Sequence, residues 1–207
     1  MEFLLLSALT IGTLHSLAPD HWIPFVALAR AQHWSKTRTT YSVLLAGLGH
    51  VGSSIVIGLV GIAIGVATEH ATGWEAVRGD IASLLLIGFG LAYMVWGLKK
   101  IIQGHSHHHD HGSAKTVSYW TLFILIIFGP CEPLIPLLFA SSAFGWMTVI
   151  LIVGAFSTAT LIMMQIQVHA ALWGFSFFRS HVFEHASDAI AGGVIAITGI
   201  AIRYFGI

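Results

Sequence analysis

Charge is what this chain lacks most. Of 207 residues, nine are Lys or Arg and nine are Asp or Glu, 9% in all, where an ordinary soluble domain carries about 25%. Hydrophobic residues make up 56%, and the two shortages together specify an integral membrane protein. The balanced charge offers no basic face to a polyanion, so no nucleic acid is expected as a partner. Cysteine is nearly absent: Cys131 stands alone, which excludes an intrachain disulfide and a two-thiol electron shuttle. A basic N-terminal region is missing too. Ala27-Leu28-Ala29 resembles a cleavage site, but Glu2 and the polar interruptions at His15 and Asp20 argue against a signal peptide, and the stretch reads as a first membrane helix.

Six stretches are long and apolar enough to cross a bilayer: 3–29, 41–67, 81–98, 117–140, 147–168 and 189–205. Without water in the hydrocarbon the backbone must bond to itself, so these are helices and not isolated strands. Arg30, Lys36, Arg38, Lys99, Lys100, Lys115 and Arg179 fall on one side, and Arg78 and Arg203 on the other. The first side is expected to be cytoplasmic, which puts both termini outside, in the plasma (inner) membrane of a bacterium or archaeon.

Two of the stretches carry residues that do not belong in lipid. The first contains His15, Pro19, Asp20, His21 and Pro24. Pro19 and Pro24 release the carbonyls of His15 and Asp20 from the helix ladder, and ionisable groups at such depth survive where they pair, face a cavity or hold an ion. On an unbroken helix His15 and His21 would point apart, about 600° of rotation separating them; the proline break can bring them round. Residues 19–29 also lie over residues 130–140, where Cys131 and Glu132 follow a proline as Asp20 and His21 do. Gly49-His50-Val-Gly-Ser53-Ser54 in the second stretch has a counterpart in Gly154-Ala-Phe156-Ser157-Thr158-Ala-Thr160 of the fifth, about the same distance on.

The expected fold is therefore all-α: six transmembrane helices in two inverted three-helix repeats, residues 1–104 and 117–207, with helices 1 and 4 broken at prolines and the site between the repeats. A linker, 105–116, joins them. It holds His105, His107, His108, His109, Asp110 and His111, a cluster suited to capturing zinc, nickel, copper or cobalt on the cytoplasmic side.

His15-Ser-Leu-Ala-Pro-Asp20-His21 resembles the H-x4-D-H signature of the NiCoT nickel/cobalt permeases, and Leu48-Gly-His50 with Ser53-Ser54 is similar to that family's L-G-H-S-S element. Gly154-Ala-Phe156-Ser-Thr158-Ala-Thr160 resembles its G-F-D-T-A-T-E element, without the Asp and with Leu161 in place of the Glu. Six helices and a histidine-rich loop between the third and fourth look more like the related nickel/cobalt exporters and urease-associated membrane proteins, all within the lysine-exporter superfamily. The resemblance implies transport of nickel or cobalt.

The residues themselves point to metal ligation. His15, Asp20, His21 and His50 supply nitrogen and carboxylate donors suited to Ni, Co, Zn or Fe(II), with Cys131 and Glu132 as the opposing pair. The plainer alternative for His50 is a bond to a backbone carbonyl, and for Cys131 a small buried hydrophobe. Ser53, Ser54, Ser157, Thr158 and Thr160 are placed behind the ligands or along the path. The expectation is a transporter, not an enzyme, with the metal ion as substrate, no organic cofactor, the bilayer as partner and room for a homo-oligomer. Two rivals remain. His181-x-x-Glu184-His185 has the spacing of a membrane metallopeptidase, and an organic-anion or amino-acid exporter of the same superfamily would not need His15 or Asp20.

Overall fold

The computed structural model describes residues 2–65, 68–102, 131–175 and 186–205, together with residues 120, 124, 126 and 129. Everything regular in them is helical. The elements are α1 (Glu2–His15), a 3-10 turn (Pro19–His21), α2 (Ile23–Ala31), α3 (Lys36–Ala63), α4 (Thr68–Ile102), α5 (Leu134–Ser142), α6 (Trp146–Phe175) and α7 (Ser187–Phe205). Four of these helices are long and apolar enough to cross a membrane, and α1 with the 19–31 segment, bent by 75°, makes a fifth if the pair is one span. The chain is thus a helical protein compatible with residence in a membrane. The histidine-rich linker, Pro130, Arg179 and most of the first half of the fourth expected span lie outside the described residues.

The break in the first span falls where the prolines require it. After His15 the chain turns through Leu17 N to Leu14 O and Ala18 N to His15 O, both 3.1 Å, before Pro19 opens the 3-10 turn. Trp22 donates its amide to Pro19 O, and α2 begins with Pro24 in its first turn, where the missing N–H costs nothing. Five prolines serve the whole chain, and all of them, at 19, 24, 130, 133 and 136, sit in the two interrupted stretches.

Several boundaries differ from the expectation by more than a turn: α3 starts at Lys36 rather than at 41, and α6 runs on to Phe175 rather than to 168. The third span starts at Thr68 rather than at residue 81, because Glu75 and Arg78 pair across one turn inside the helix. Hydropathy reads those charges as loop; the pairing keeps them helical.

α4 and α7 run antiparallel and almost touch. A Cβ on Gly90 would lie 2.3 Å from the Ala196 nitrogen, and one on Gly192 would lie 2.2 Å from the Met94 nitrogen. One on Gly97 would meet the Ala189 nitrogen at 2.4 Å, and one on Gly199 the Ile87 nitrogen at 2.9 Å. Only glycine fits at such a seam, and close backbone approach is how helices associate where lipid is as apolar as leucine. The contacts come in reciprocal pairs, as across an isologous interface. Salt bridges close both ends, Lys100 to Asp188 at 2.9 Å and Arg203 to Asp80 at 3.0 Å.

Two apolar clusters fill the interior, the first of them shared with α4 and α7. One gathers Phe25, Leu28, Ala46, Leu86, Met164 and Ile195; the other gathers Val51, Leu134, Leu138, Ile152 and Phe156 around Cys131. His50 follows Ala46 of the first cluster and precedes Val51 of the second on α3, so it stands in the polar layer between them. That layer is about 21 Å along a helix about 42 Å long, at 1.5 Å per residue.

Candidate metal centre

Three imidazoles converge in this layer. His15 is the last residue of α1, His21 the last of the 3-10 turn, and His50 comes from the middle of α3. Their Nε2 atoms form a triangle with sides of 3.1 Å (His21–His15), 3.2 Å (His21–His50) and 3.5 Å (His15–His50). The His21 ring stands edge-on to both others, while His15 and His50 lie nearly parallel, 5.8 Å between centroids. His21 and His50 are buried.

The outer nitrogens of two of the rings are already committed. His21 Nδ1–H donates to Asp20 Oδ1 at 2.8 Å, and His50 Nδ1–H donates to the Ile126 carbonyl at 3.1 Å. Neither acceptor has a hydrogen to give, so both rings carry a proton on Nδ1, and in its neutral form each turns a bare Nε2 lone pair inwards. Lone pairs at about 3 Å repel one another unless a cation or a proton lies between them. Orienting metal-bound imidazoles through a carboxylate or carbonyl on the far nitrogen is how such sites are ordinarily built.

The size of the triangle bears on the ion. Imidazole nitrogens bound at about 2.0–2.1 Å are about 3.3–3.4 Å apart around a tetrahedral ion, and about 2.9 Å apart at cis positions of an octahedral one. The observed edges fall within and around that range. Cys131 lies beside two of the three rings: its Sγ and nitrogens of His15 and His50 all lie within 4.8 Å of one another.

Of the residues expected to act together, His15, His21 and His50 are brought to one place, with Cys131 beside His15 and His50. Asp20 is present in another capacity, behind His21 rather than beside the other donors. Glu132 sits exposed in the turn before α5. Ser53 donates to its own helix at His50 O (2.8 Å), and Ser54 accepts from Arg78 (3.3 Å). Ser157 bonds Val153 O and Thr158 is exposed. Thr160 donates to Gly12 O at 3.3 Å, where a Cβ on Gly12 would meet the Phe156 carbonyl at 2.8 Å. This contact seats α1 on α6 and places the Phe156 ring 6.0 Å from that of His15.

His105, His107, His108, His109, Asp110 and His111 lie outside the described residues, as do His181, Glu184 and His185. Asp188, which extends the latter motif, accepts from Tyr93 Oη at 2.8 Å and pairs with Lys100. Its carboxylate is part of the α4–α7 clamp.

Sequence reasoning missed the carboxylate that does lie next to Cys131. Glu75 is fully buried. One of its oxygens pairs with Arg78, and the other accepts the Cys131 amide at 3.1 Å. Arg78 in turn donates to Ser53 Oγ at 2.8 Å and to the Gly129 carbonyl at 3.3 Å. The clue was present as two opposite charges three residues apart, one helical turn, just ahead of the third apolar stretch, but Arg78 reads there as a marker of orientation. Beside these groups, Asp20, His21 and His50 open onto a crevice whose α4 wall is built of the small residues Gly79, Ala82 and Ser83 together with Leu86.

No family model matches the chain, and neither the search of curated proteins nor that of solved structures finds a match. The functional reading therefore stands on the geometry.

Proposed function

We propose that the protein carries a divalent transition-metal ion across the membrane, binding it at His15, His21 and His50 with Cys131 as a fourth donor. One observation carries this reading: three imidazole nitrogens 3.1–3.5 Å apart, two of which cannot donate to each other because their protons are held by Asp20 and Ile126 O. A buried layer of converging acceptors in an apolar protein is built for a cation. Nitrogen and sulfur donors exclude calcium and magnesium and suit nickel, cobalt, zinc or iron(II).

Transport rather than storage is supported by where the cluster stands. It lies near the middle of α3, at the break of a span bent by 75°, with an apolar cluster on either side. Ion sites at interrupted helices near the midplane are the usual plan of transporters with inverted repeats. The reciprocal glycine contacts of α4 and α7 are what an internal two-fold axis in the membrane plane would produce between the third and sixth helices. On this reading the two halves, 1–104 and 117–207, rock about the site, both termini are extracytoplasmic, and the histidine-rich linker meets the ion in the cytoplasm. The chain then belongs with the NiCoT-like nickel/cobalt carriers and their exporter relatives.

The test is direct. Purified protein titrated with Co(II), Ni(II) and Zn(II), and proteoliposomes loaded with a metal-sensitive dye, should show one tight internal site and metal flux. His50→Ala should abolish both. Unchanged flux in that variant removes the reading.

A further inference from the structure

The Glu75–Arg78 pair has no place in the account of metal binding given so far. Burying two charges carries a desolvation cost that their attraction does not reliably recover, and an apolar pair of similar volume would pack as well or better. Its contacts show what an apolar pair could not do. Arg78 holds the Gly129 carbonyl at 3.3 Å and Glu75 holds the Cys131 amide at 3.1 Å, so the two charges grip the backbone on either side of residue 130. The same guanidinium is tied to α3 through Ser53 at 2.8 Å and Ser54 at 3.3 Å, one turn beyond His50. The grip thus joins the helix that carries an imidazole to the strand of irregular chain that carries the thiol.

We propose that the Glu75–Arg78 pair is a latch that presents the Cys131 thiol to the His15 and His50 imidazoles and so sets the metal preference of the site. The inference rests on the metal-binding reading of His15, His21 and His50. With the latch closed the fourth donor is sulfur, which favours softer, thiophilic ions. With it open the fourth position falls to water, and the site becomes an all-nitrogen one. Glu75 and Arg78 are positioning residues here: they touch the chain that bears the ligand, not the ion. Because the pair is neutral as a unit, it adds no charge to the site while it holds the chain.

Cobalt(II) reads the two kinds of donor separately. Imidazole ligation gives d–d bands in the visible, and thiolate ligation adds an intense sulfur-to-cobalt charge-transfer band in the near ultraviolet. The full-length protein saturated with Co(II) should show both, and Cys131→Ser should keep only the visible bands. The decisive variant is Glu75→Leu with Arg78→Met, which removes the grip but keeps an apolar pair of similar bulk. It should retain the visible bands, lose the near-ultraviolet band at least fivefold, and lose at least tenfold in preference for Zn(II) over Ni(II). A role limited to stability would lower both sets of bands together.

Should that variant not fold, Arg78→Lys decides, since lysine keeps the charge beside Glu75 but not the fork that reaches Gly129 and both serines. The charge-transfer band should fall relative to the visible bands. An unchanged ratio of the two in either variant overturns the latch. A wild-type protein with visible bands but no charge-transfer band also overturns it, and leaves the imidazole site standing. A wild-type protein with neither overturns the metal-binding reading itself.

Discussion

The two proline-bearing interruptions are alike in sequence and differ in how they are held. The stretch from His15 to Trp22 supports itself. Its turn is closed by its own amides, Ala18 N to His15 O and His21 N to Ala18 O, both 3.1 Å, and its carboxylate fixes its own histidine, Asp20 to His21 at 2.8 Å. The stretch from Gly129 to Cys131 also makes its own turn bonds, Gly129 N to Ile126 O and Leu134 N to Cys131 O, both 3.1 Å, but it is gripped from outside as well, by the charged pair of α4. One segment is a preorganised ligand arm that brings two imidazoles wherever α1 goes. The other brings a thiol only while α4 keeps it there. A site shared by a rigid arm and a conditional one can hold its ion firmly from one side and change its grip from the other, which is what alternating access asks of it.

That contrast can be broken at several points. The largest effect is expected from the rigid side: His21→Ala removes the vertex common to the two shortest edges of the triangle and should lower Co(II) affinity by well over the roughly 10–100-fold that loss of an outer partner costs, as measured by competition titration. Asp20→Asn should come next. It keeps shape but loses the charge that orients His21, and affinity should fall roughly 10–100-fold. The conditional side is expected to act more gently, and through protons. Bound metal needs neutral imidazoles and a thiolate, so affinity rises with pH while these groups give up protons. Removing the thiol in Cys131→Ser should flatten the plot of log affinity against pH by about one proton per ion. The smallest effect belongs to Ser53→Ala, which deletes one bond to Arg78. It should reduce stability by about 1 kcal/mol, seen as a slight fall in the thermal midpoint with Co(II) affinity unaltered.

Much of this arrangement could be read in the residues. His15, Asp20, His21 and His50 stand out because polar groups are scarce around them, and the prolines mark where the helix stops. The 3-10 turn then does what the spacing alone could not, swinging His21 back to 3.1 Å from His15. Other features were hidden by averaging. Hydropathy placed residues 68–80 outside the span, since a window counts charges and not their partners; Glu75 and Arg78 satisfy each other inside α4. Glu132 drew notice by standing next to Cys131 in the chain, yet it is exposed, and the carboxylate at the Cys131 amide comes from residue 75.

The sequence by itself determined the class of the protein, the helical state of its spans, and the identity of the groups available for chemistry. These depend on composition and on local rules: lipid forbids unpaired backbone, proline interrupts a ladder, and imidazole and thiol are metal donors wherever they occur. Only the tertiary structure decided which side chains meet, that Asp20 stands behind His21 and not beside the other donors, that glycines 90, 97, 192 and 199 bring α4 and α7 into backbone contact, and that a buried ion pair holds the amide of Cys131. Each of these is a meeting of residues distant in the chain, set by close packing between helices, and no local pattern encodes the distance at which two helices come to rest.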